Sequence, residues 1–316
     1  MSDGGGAAVV EATDDPGRGS REREYRSFPT EWRRSCPRGC DILPRSMASR
    51  LETYTHGHHE SVVSRHRKRT ASEAAAFLFP HLKPGMRLLD VGCGPGSITL
   101  GLATAVAPAE VLAIDLSAEV LAEGRRLAIA KGVRNVRFER ADIEDLARPD
   151  GAFDVVYAHQ VLQHVREPVR TLQAMKRVLA RGGLVAVRDS DYGTCTWSPP
   201  EPRIGRWLEI YHAVASANGA DADAGRHLYG WLVRAGFAEI RLSGTTWTFP
   251  GYDSVQEWSI SWAERTVDSN LAAQAVEYGI ATRSELESIA EGFRRWCREP
   301  EAFFSIGHVE ALGRKP

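Results

Sequence analysis

Between Met86 and Arg188, short apolar runs alternate with helix-like stretches, and that alternation leaves few folds open to the chain. The runs are Met86 to Val91, Val111 to Leu116, Val136 to Ala141, Phe153 to Ala158 and Leu184 to Arg188. Between them lie Ser97 to Val106, Ala118 to Lys131 and Pro168 to Ala180, which carry helical periodicity. The runs hold too few polar residues to leave one sheet face in water. Strands buried on both faces imply a parallel sheet covered by helices, an α/β, doubly wound architecture. Ahead of the first run, Thr70 and Glu73 fit a capping box that opens a helix through Phe79, and Pro84-Gly85 makes the turn into the strand.

After Arg188 the alternation loosens. Helices are expected over 204–217 and 225–235, a strand over 238–248, three more helices within 254–296, and a closing strand over 303–312. The helical segments at about 197–220 and 252–298 are candidates for a lid over the sheet edge. Residues 1–46 are rich in Gly, Arg, Glu, Ser and Pro and poor in aliphatic side chains. Such a segment buries too little surface to offset its ordering entropy, so it is read as a disordered extension to a folded domain spanning 47–316. Met47 then becomes a candidate start.

The 316 residues carry 40 Lys and Arg against 41 Asp and Glu, so no global field draws the chain to nucleic acid or an anionic membrane. The five cysteines are scattered, and the Cys36/Cys40 pair has no second pair to complete a zinc site. With no leader-like apolar segment and no membrane span, a cytoplasmic protein with reduced thiols is expected. A homo-oligomer is left open.

The segment that carries chemistry is Leu88-Leu89-Asp90-Val91-Gly92-Cys93-Gly94-Pro95-Gly96-Ser97, a glycine turn between a strand and a helix. Such a turn lets a ligand approach backbone amides, and dinucleotide enzymes use one too. Two details separate the readings. Ser97 replaces the third glycine of G-x-G-x-x-G. Asp90 stands at the mouth, where a carboxylate repels a pyrophosphate and attracts a cation. S-adenosylmethionine carries an ammonium and a sulfonium and no phosphate, so the acid favours it as cofactor.

Asp115, with Leu116 beside it, ends the second strand about 20 residues on, where an acid can accept ribose hydroxyls of any adenosine cofactor. Asp142 ends the third strand. It can accept the adenine amino group while Ile143 packs on the ring, or it can cap a helix. His159 ends the fourth strand, at the switch point of a doubly wound sheet, and either meets the ligands or packs. His164 reads as structural.

Together these elements resemble the class I S-adenosylmethionine-dependent methyltransferases, nearest their ubiquinone/menaquinone-biosynthesis-like branch, over about Thr53 to Arg188. The resemblance implies a seven-stranded, mostly parallel, Rossmann-like sheet with its last strand antiparallel, N-terminal helices and a helical lid. It implies that Gly92, Gly94 and Gly96 flank the methionyl part, Asp115 the ribose, and Asp142 with Ile143 the adenine. The segment Tyr54-Thr55-His56-Gly57-His58-His59-Glu60-Ser61-Val62, followed by His66 and Arg69-Thr70, is similar to the N-terminus of a subgroup acting in secondary metabolism. That likeness implies that Tyr54 and Arg69 contact the methionyl carboxylate.

His56, His58 and His59 lack an acid or cysteine at ligand spacing, so no metal is expected. Val255, Trp258 and Trp262 follow helical spacing, and with Trp207, Tyr211 and Trp247 they suit core packing for most and an apolar pocket for a subset. The expected function is methyl transfer to an O, N, S or C atom of a small, apolar or aromatic metabolite. His159 is the first candidate for base or positioner and Tyr54 the second. The competing readings are an NAD-dependent oxidoreductase and an S-adenosylmethionine-binding protein that transfers nothing.

Overall fold

A computed structural model describes residues 69–316, except for the side chain of Tyr252. The readings on residues 1–46, Cys36 and Cys40, Tyr54 and the histidines from His56 to His66 lie outside the described residues. Among those described, seven strands form one sheet: β1 Leu88–Val91, β2 Val111–Asp115, β3 Val136–Arg140, β4 Phe153–His159, β5 Leu179–Ser198, β6 Ala238–Pro250 and β7 Phe303–Arg314. Their order is β3-β2-β1-β4-β5-β7-β6. Neighbours from β3 to β5 pair in parallel, and β7 runs antiparallel to both β5 and β6. This is the doubly wound, mostly parallel sheet expected, with one reversed strand.

The helices are α1 Thr99–Val106, α2 Ala118–Ala130, α3 Pro168–Val178, α4 Pro202–Ala217, α5 Ala224–Arg234, α6 Gly251–Asp268, α7 Asn270–Glu277 and α8 Arg283–Trp296. Every residue of β1 is buried, and the first four of β2 are too, because helices cover both faces. On one face Leu88, Val111, Val155 and Tyr157 pack with Leu102 and Val106 of α1. On the other, Leu89, Leu112 and Val156 pack with Leu172 and Met175 of α3 and Leu228 and Leu232 of α5. A third core joins α4 to α6, α7 and α8, the helices inserted between β6 and β7.

Two local expectations need correction. The helix read through Phe79 is a single turn, Ala71–Ala74; Thr70 makes no cap to the backbone and instead donates from Oγ1 to Glu73 at 3.0 Å. The Ala74 carbonyl receives the Tyr157 hydroxyl at 3.0 Å, and Pro80, which has no N–H to give, enters a 3₁₀ turn. The strand read as Leu184 to Arg188 is much longer, because β7 pairs with it through Asp191 and again from Thr196 to Ser198. Its Asp189, Ser190 and Asp191 look like a loop in sequence but are buried. Partners distant in the chain reach them: the Gln163 amide donates to Asp189 Oδ1 at 3.1 Å and Arg226 Nε to Asp191 at 2.8 Å.

Candidate functional site

A single cavity opens over the carboxyl ends of β1, β2 and β4, the point where strand order reverses from β2 on one side of β1 to β4 on the other. The sequence after β1 builds one wall. Gly92, Gly94 and Gly96 all have positive φ, +68°, +53° and +76°, values a side chain rarely adopts. A Cβ on Gly92 would come within 2.5 Å of Val161, and one on Gly96 within 2.9 Å of the Phe138 ring. The turn is therefore tied to glycine both by φ and by space.

The amides of this turn point inward to the protein. Gly92 and Cys93 both donate to the Ile114 carbonyl, at 2.8 and 3.0 Å, and Gly94 donates to Asp115 Oδ2 at 3.0 Å. The expectation of backbone amides open to a ligand is thus replaced, at these three positions, by a braced turn. A pyrophosphate loses its donors there. What the turn offers a ligand instead is the open space beside Gly94, where a Cβ would meet nothing within 4 Å.

Four carboxylates line this end: Asp90, Asp115, Asp142 and Glu144. Asp90 is 2% exposed and accepts from Thr99 Oγ1 at 2.6 Å. Burial pushes its carboxyl up to about 7; the Thr99 bond opposes that shift, and the nearby Asp115 adds to it. Asp115 also receives the Ser117 amide at 2.9 Å, so it cross-links the two loops. Asp142 receives the Glu144 amide at 2.9 Å and holds a turn; no helix begins there for it to cap. Beside these acids, Ile143 is buried, and Leu116, 52% exposed, adds apolar surface to the same lining.

His159 stands at the far end of β4, 8% exposed, its ring 6.3 Å from that of Trp247. His164, read as structural, also lines the cavity; burial drives its imidazole down to about 3, and Gln163 Nε2 lies 2.9 Å from its Nε2. Arg69 reaches the lining as well, its guanidinium 5.3 Å from the Trp247 ring centre. The structure thus brings Asp90, Gly92, Gly94, Asp115, Leu116, Asp142, Ile143, His159 and Arg69 to one cavity, with Gly96 just behind the turn. Among the described residues, no group of His, Cys, Asp and Glu is placed to hold a metal ion.

The opposite end is aromatic. Tyr192, Trp207, Trp258, Trp262 and Phe304 form its wall, with Arg265 among them. Between the two ends sits a polar trio that the sequence did not announce. Gln160 holds φ +55°, unusual for a residue with a side chain, and its Nε2 donates to Ser190 Oγ at 2.6 Å and lies 3.2 Å from His308 Nε2. The Gln160 amide donates to the Arg188 carbonyl at 2.7 Å, which fixes this strained turn to β5. The His308 ring packs tilted against Trp247, with centroids 4.1 Å apart, and burial pushes its imidazole down to about 2.

Residues 82–236 match the family model described as "Methyltransferase domain". The chain is 30% identical over 271 residues to an uncharacterized methyltransferase of Schizosaccharomyces pombe, covering 83% of this chain and 96% of that one. It is 29% identical to a probable methyltransferase of Aspergillus luteorubrus, covering 85% of this chain and all of the other. Over 132 residues it is 40% identical to a ubiquinone/menaquinone biosynthesis C-methyltransferase of Ectopseudomonas mendocina, covering 41% of this chain and 49% of that one. Among solved structures, a putative methyltransferase from Bacillus halodurans shares the fold, with a TM-score of 0.52 at 18% identity over 78% of this chain and 98% of that one.

Proposed function

The chain belongs to the class I S-adenosylmethionine-dependent methyltransferases, and from that premise we propose that it methylates a small aromatic or largely apolar metabolite in the cavity described above. The observation that carries the reading is the division of that one cavity: carboxylates and a glycine turn at one end, aromatic rings at the other, and His159 in the lining at the end of β4, the strand between β1 and β5.

The acidic end fits S-adenosylmethionine on its own chemistry. Its carboxylates favour a ligand that bears positive charge, and its turn amides are already engaged within the protein. In this reading Asp115 receives the ribose hydroxyls through lone pairs left beside its two amide bonds. Ile143 and Leu116 sandwich the adenine, and Asp142 accepts its amino group. Arg69 pairs with the methionyl carboxylate, a role it would share with Tyr54. An NAD-dependent oxidoreductase is disfavoured by the same features, since four carboxylates and three engaged amides suit no pyrophosphate.

When bound, S-adenosylmethionine supplies an electrophilic methyl group and leaves as a neutral thioether, so the protein needs no general acid. The residues here have three tasks: to aim the acceptor atom, to exclude water and, for a weak nucleophile, to take its proton. His159 lies where the two ends meet and is assigned the last task or the first. The aromatic wall excludes water, and α6 to α8 cover it.

The test is incubation of the protein with methyl-labelled S-adenosylmethionine and a metabolite extract, followed by mass spectrometry of labelled products. A labelled small aromatic product that disappears with Asp115→Ala is expected. Binding of S-adenosylhomocysteine with no labelled product from any extract would favour a binding protein that transfers nothing. Absence of binding would overturn the assignment of the acidic end.

A further inference from the structure

We infer that the indole N–H of Trp207 orients the methyl acceptor, and that the acceptor is an aromatic molecule bearing an oxygen able to receive that hydrogen bond. The inference rests on the methyl-transfer reading and narrows it.

Trp207 projects from α4 and is 1% exposed. Neighbouring rings fix its plane: Trp262 edge-on at 4.5 Å, Phe293 edge-on at 5.5 Å, and Trp258 edge-on at 6.0 Å. It nonetheless belongs to the cavity wall. Its Nε1 is buried and has no hydrogen-bond acceptor among the described residues. A buried donor left unmet costs roughly 1–3 kcal/mol, a cost that a phenylalanine at this position would not carry. Trp296, in the same helical layer, shows how a purely structural indole is treated: its Nε1 donates to the Pro199 carbonyl at 2.8 Å. The two tryptophans differ in that only Trp207 faces the cavity.

The chemistry of the ligand follows from what this wall presents. Trp258 and Phe304 are stacked at 3.6 Å, and Trp262 closes the adjoining side, a setting that accepts a flat ring. Every polar group of the aromatic end can donate. An indole and a guanidinium have no lone pair to give, and burial pushes the Tyr192 hydroxyl up to about 12, so it stays protonated. An ammonium would meet the positive charge of the Arg265 guanidinium and is disfavoured. A hydroxyl or carbonyl oxygen on the ring supplies the missing acceptor and fixes the ring's rotation in the cavity, so that one ring position faces the methyl group.

The probe pair is 2-naphthol and naphthalene, which share a ring system and differ by one oxygen. Both are titrated into protein saturated with S-adenosylhomocysteine, with affinity and the indole N–H signals of ¹⁵N-tryptophan-labelled protein as readouts. The eight tryptophans keep the spectrum sparse. The naphthol should bind roughly fivefold tighter, the net worth of one hydrogen bond. One indole signal should move downfield with naphthol and stay with naphthalene, and that signal should be missing from W207F, whose preference falls below twofold. Equal affinities in the unaltered protein, or a shift in a signal that W207F retains, would overturn the inference. Should W207F not fold, the affinity ratio and a single naphthol-specific indole shift in the unaltered protein decide it. Failure of S-adenosylhomocysteine to bind would instead sink the methyl-transfer reading.

Discussion

Replacing Asp90 with Asn should stabilise the ligand-free protein and weaken its hold on the sulfonium donor, and the two effects should depend on pH in a defined way. In the folded chain this carboxyl is pushed from 3.8 to about 7, chiefly by burial. At about 1.4 kcal/mol for each tenfold change in protonation, the charged form carries a penalty on the order of 4 kcal/mol. The sign follows from proton counts. Below the unfolded value of 3.8 both states are protonated and the residue contributes nothing. Between 3.8 and about 7 the folded state keeps a proton that the unfolded state has lost, so stability falls as pH rises. Above about 7 the penalty is complete. Asn can still accept the Thr99 hydroxyl, and any weakening of that bond is the same at every pH. D90N should therefore gain roughly 1–2 kcal/mol over the native protein at pH 5 and up to about 4 kcal/mol at pH 8. For a folded region of this size that upper figure corresponds to roughly 8–16 °C in Tm, reduced where water enters the cavity. Thermal unfolding of both proteins from pH 5 to 8 measures it, and calorimetry at pH 8 should show D90N binding S-adenosylmethionine more weakly. A gap in Tm that is the same at pH 5 and pH 8, or a D90N that unfolds earlier than the native protein at pH 8, would refute the reasoning.

Gly92→Ala forces a side chain into a positive φ, at about 1–2 kcal/mol, and drives its Cβ into Val161. Calorimetry with S-adenosylhomocysteine should show a loss of about tenfold or more. Glu310→Gln removes the counter-charge of Arg188 where both side chains are under 5% exposed, and urea unfolding should record a loss of about 3–5 kcal/mol. Because Arg188 lies 4.9 Å from the Trp247 ring centre, the same change should also disturb the cavity wall, seen as altered tryptophan fluorescence. His159→Ala, assayed on the acceptor once found, should lower kcat about 10²–10⁴-fold if His159 takes the proton, with S-adenosylhomocysteine affinity within threefold of native.

The sheet and its glycine turn were legible because each is dictated by residues adjacent in sequence. Leu88, Leu89 and Val91 put apolar side chains on both faces of β1, Gly92 to Gly96 must turn, and Thr99 to Val106 is apolar along most of its length. No distant partner is needed to decide any of these. Where a distant partner does decide, the reading failed. Asp189, Ser190 and Asp191 form strand because Gln163, Gln160 and Arg226 come from elsewhere in the chain to meet them. The capping-box helix stopped short because Tyr157, on another strand, claims the carbonyl of Ala74.

The same distinction divides the cavity. Its acidic end sits at strand ends, so the register of a parallel sheet brings Asp90, Asp115 and His159 together by pairing alone: Asp90 lies beside Ala113 and Tyr157, each two residues before the end of its strand, at Asp115 and His159. Its aromatic end is assembled from α4, α6, β5 and β7, whose wall residues are scattered from Tyr192 to Phe304 and whose approach is set by packing. Helical spacing marks Trp258 and Trp262 as buried but gives no means of telling a core ring from a wall ring. That choice is made by neighbours, as Trp207 and Trp296 show: two indoles in one hydrophobic layer, one satisfied by a carbonyl and one left with a donor at the cavity. Acceptor specificity can therefore diverge by repacking the helical layer while the acids and glycines at the strand ends stay fixed. The two ends answer to different constraints, pairing in one and packing in the other.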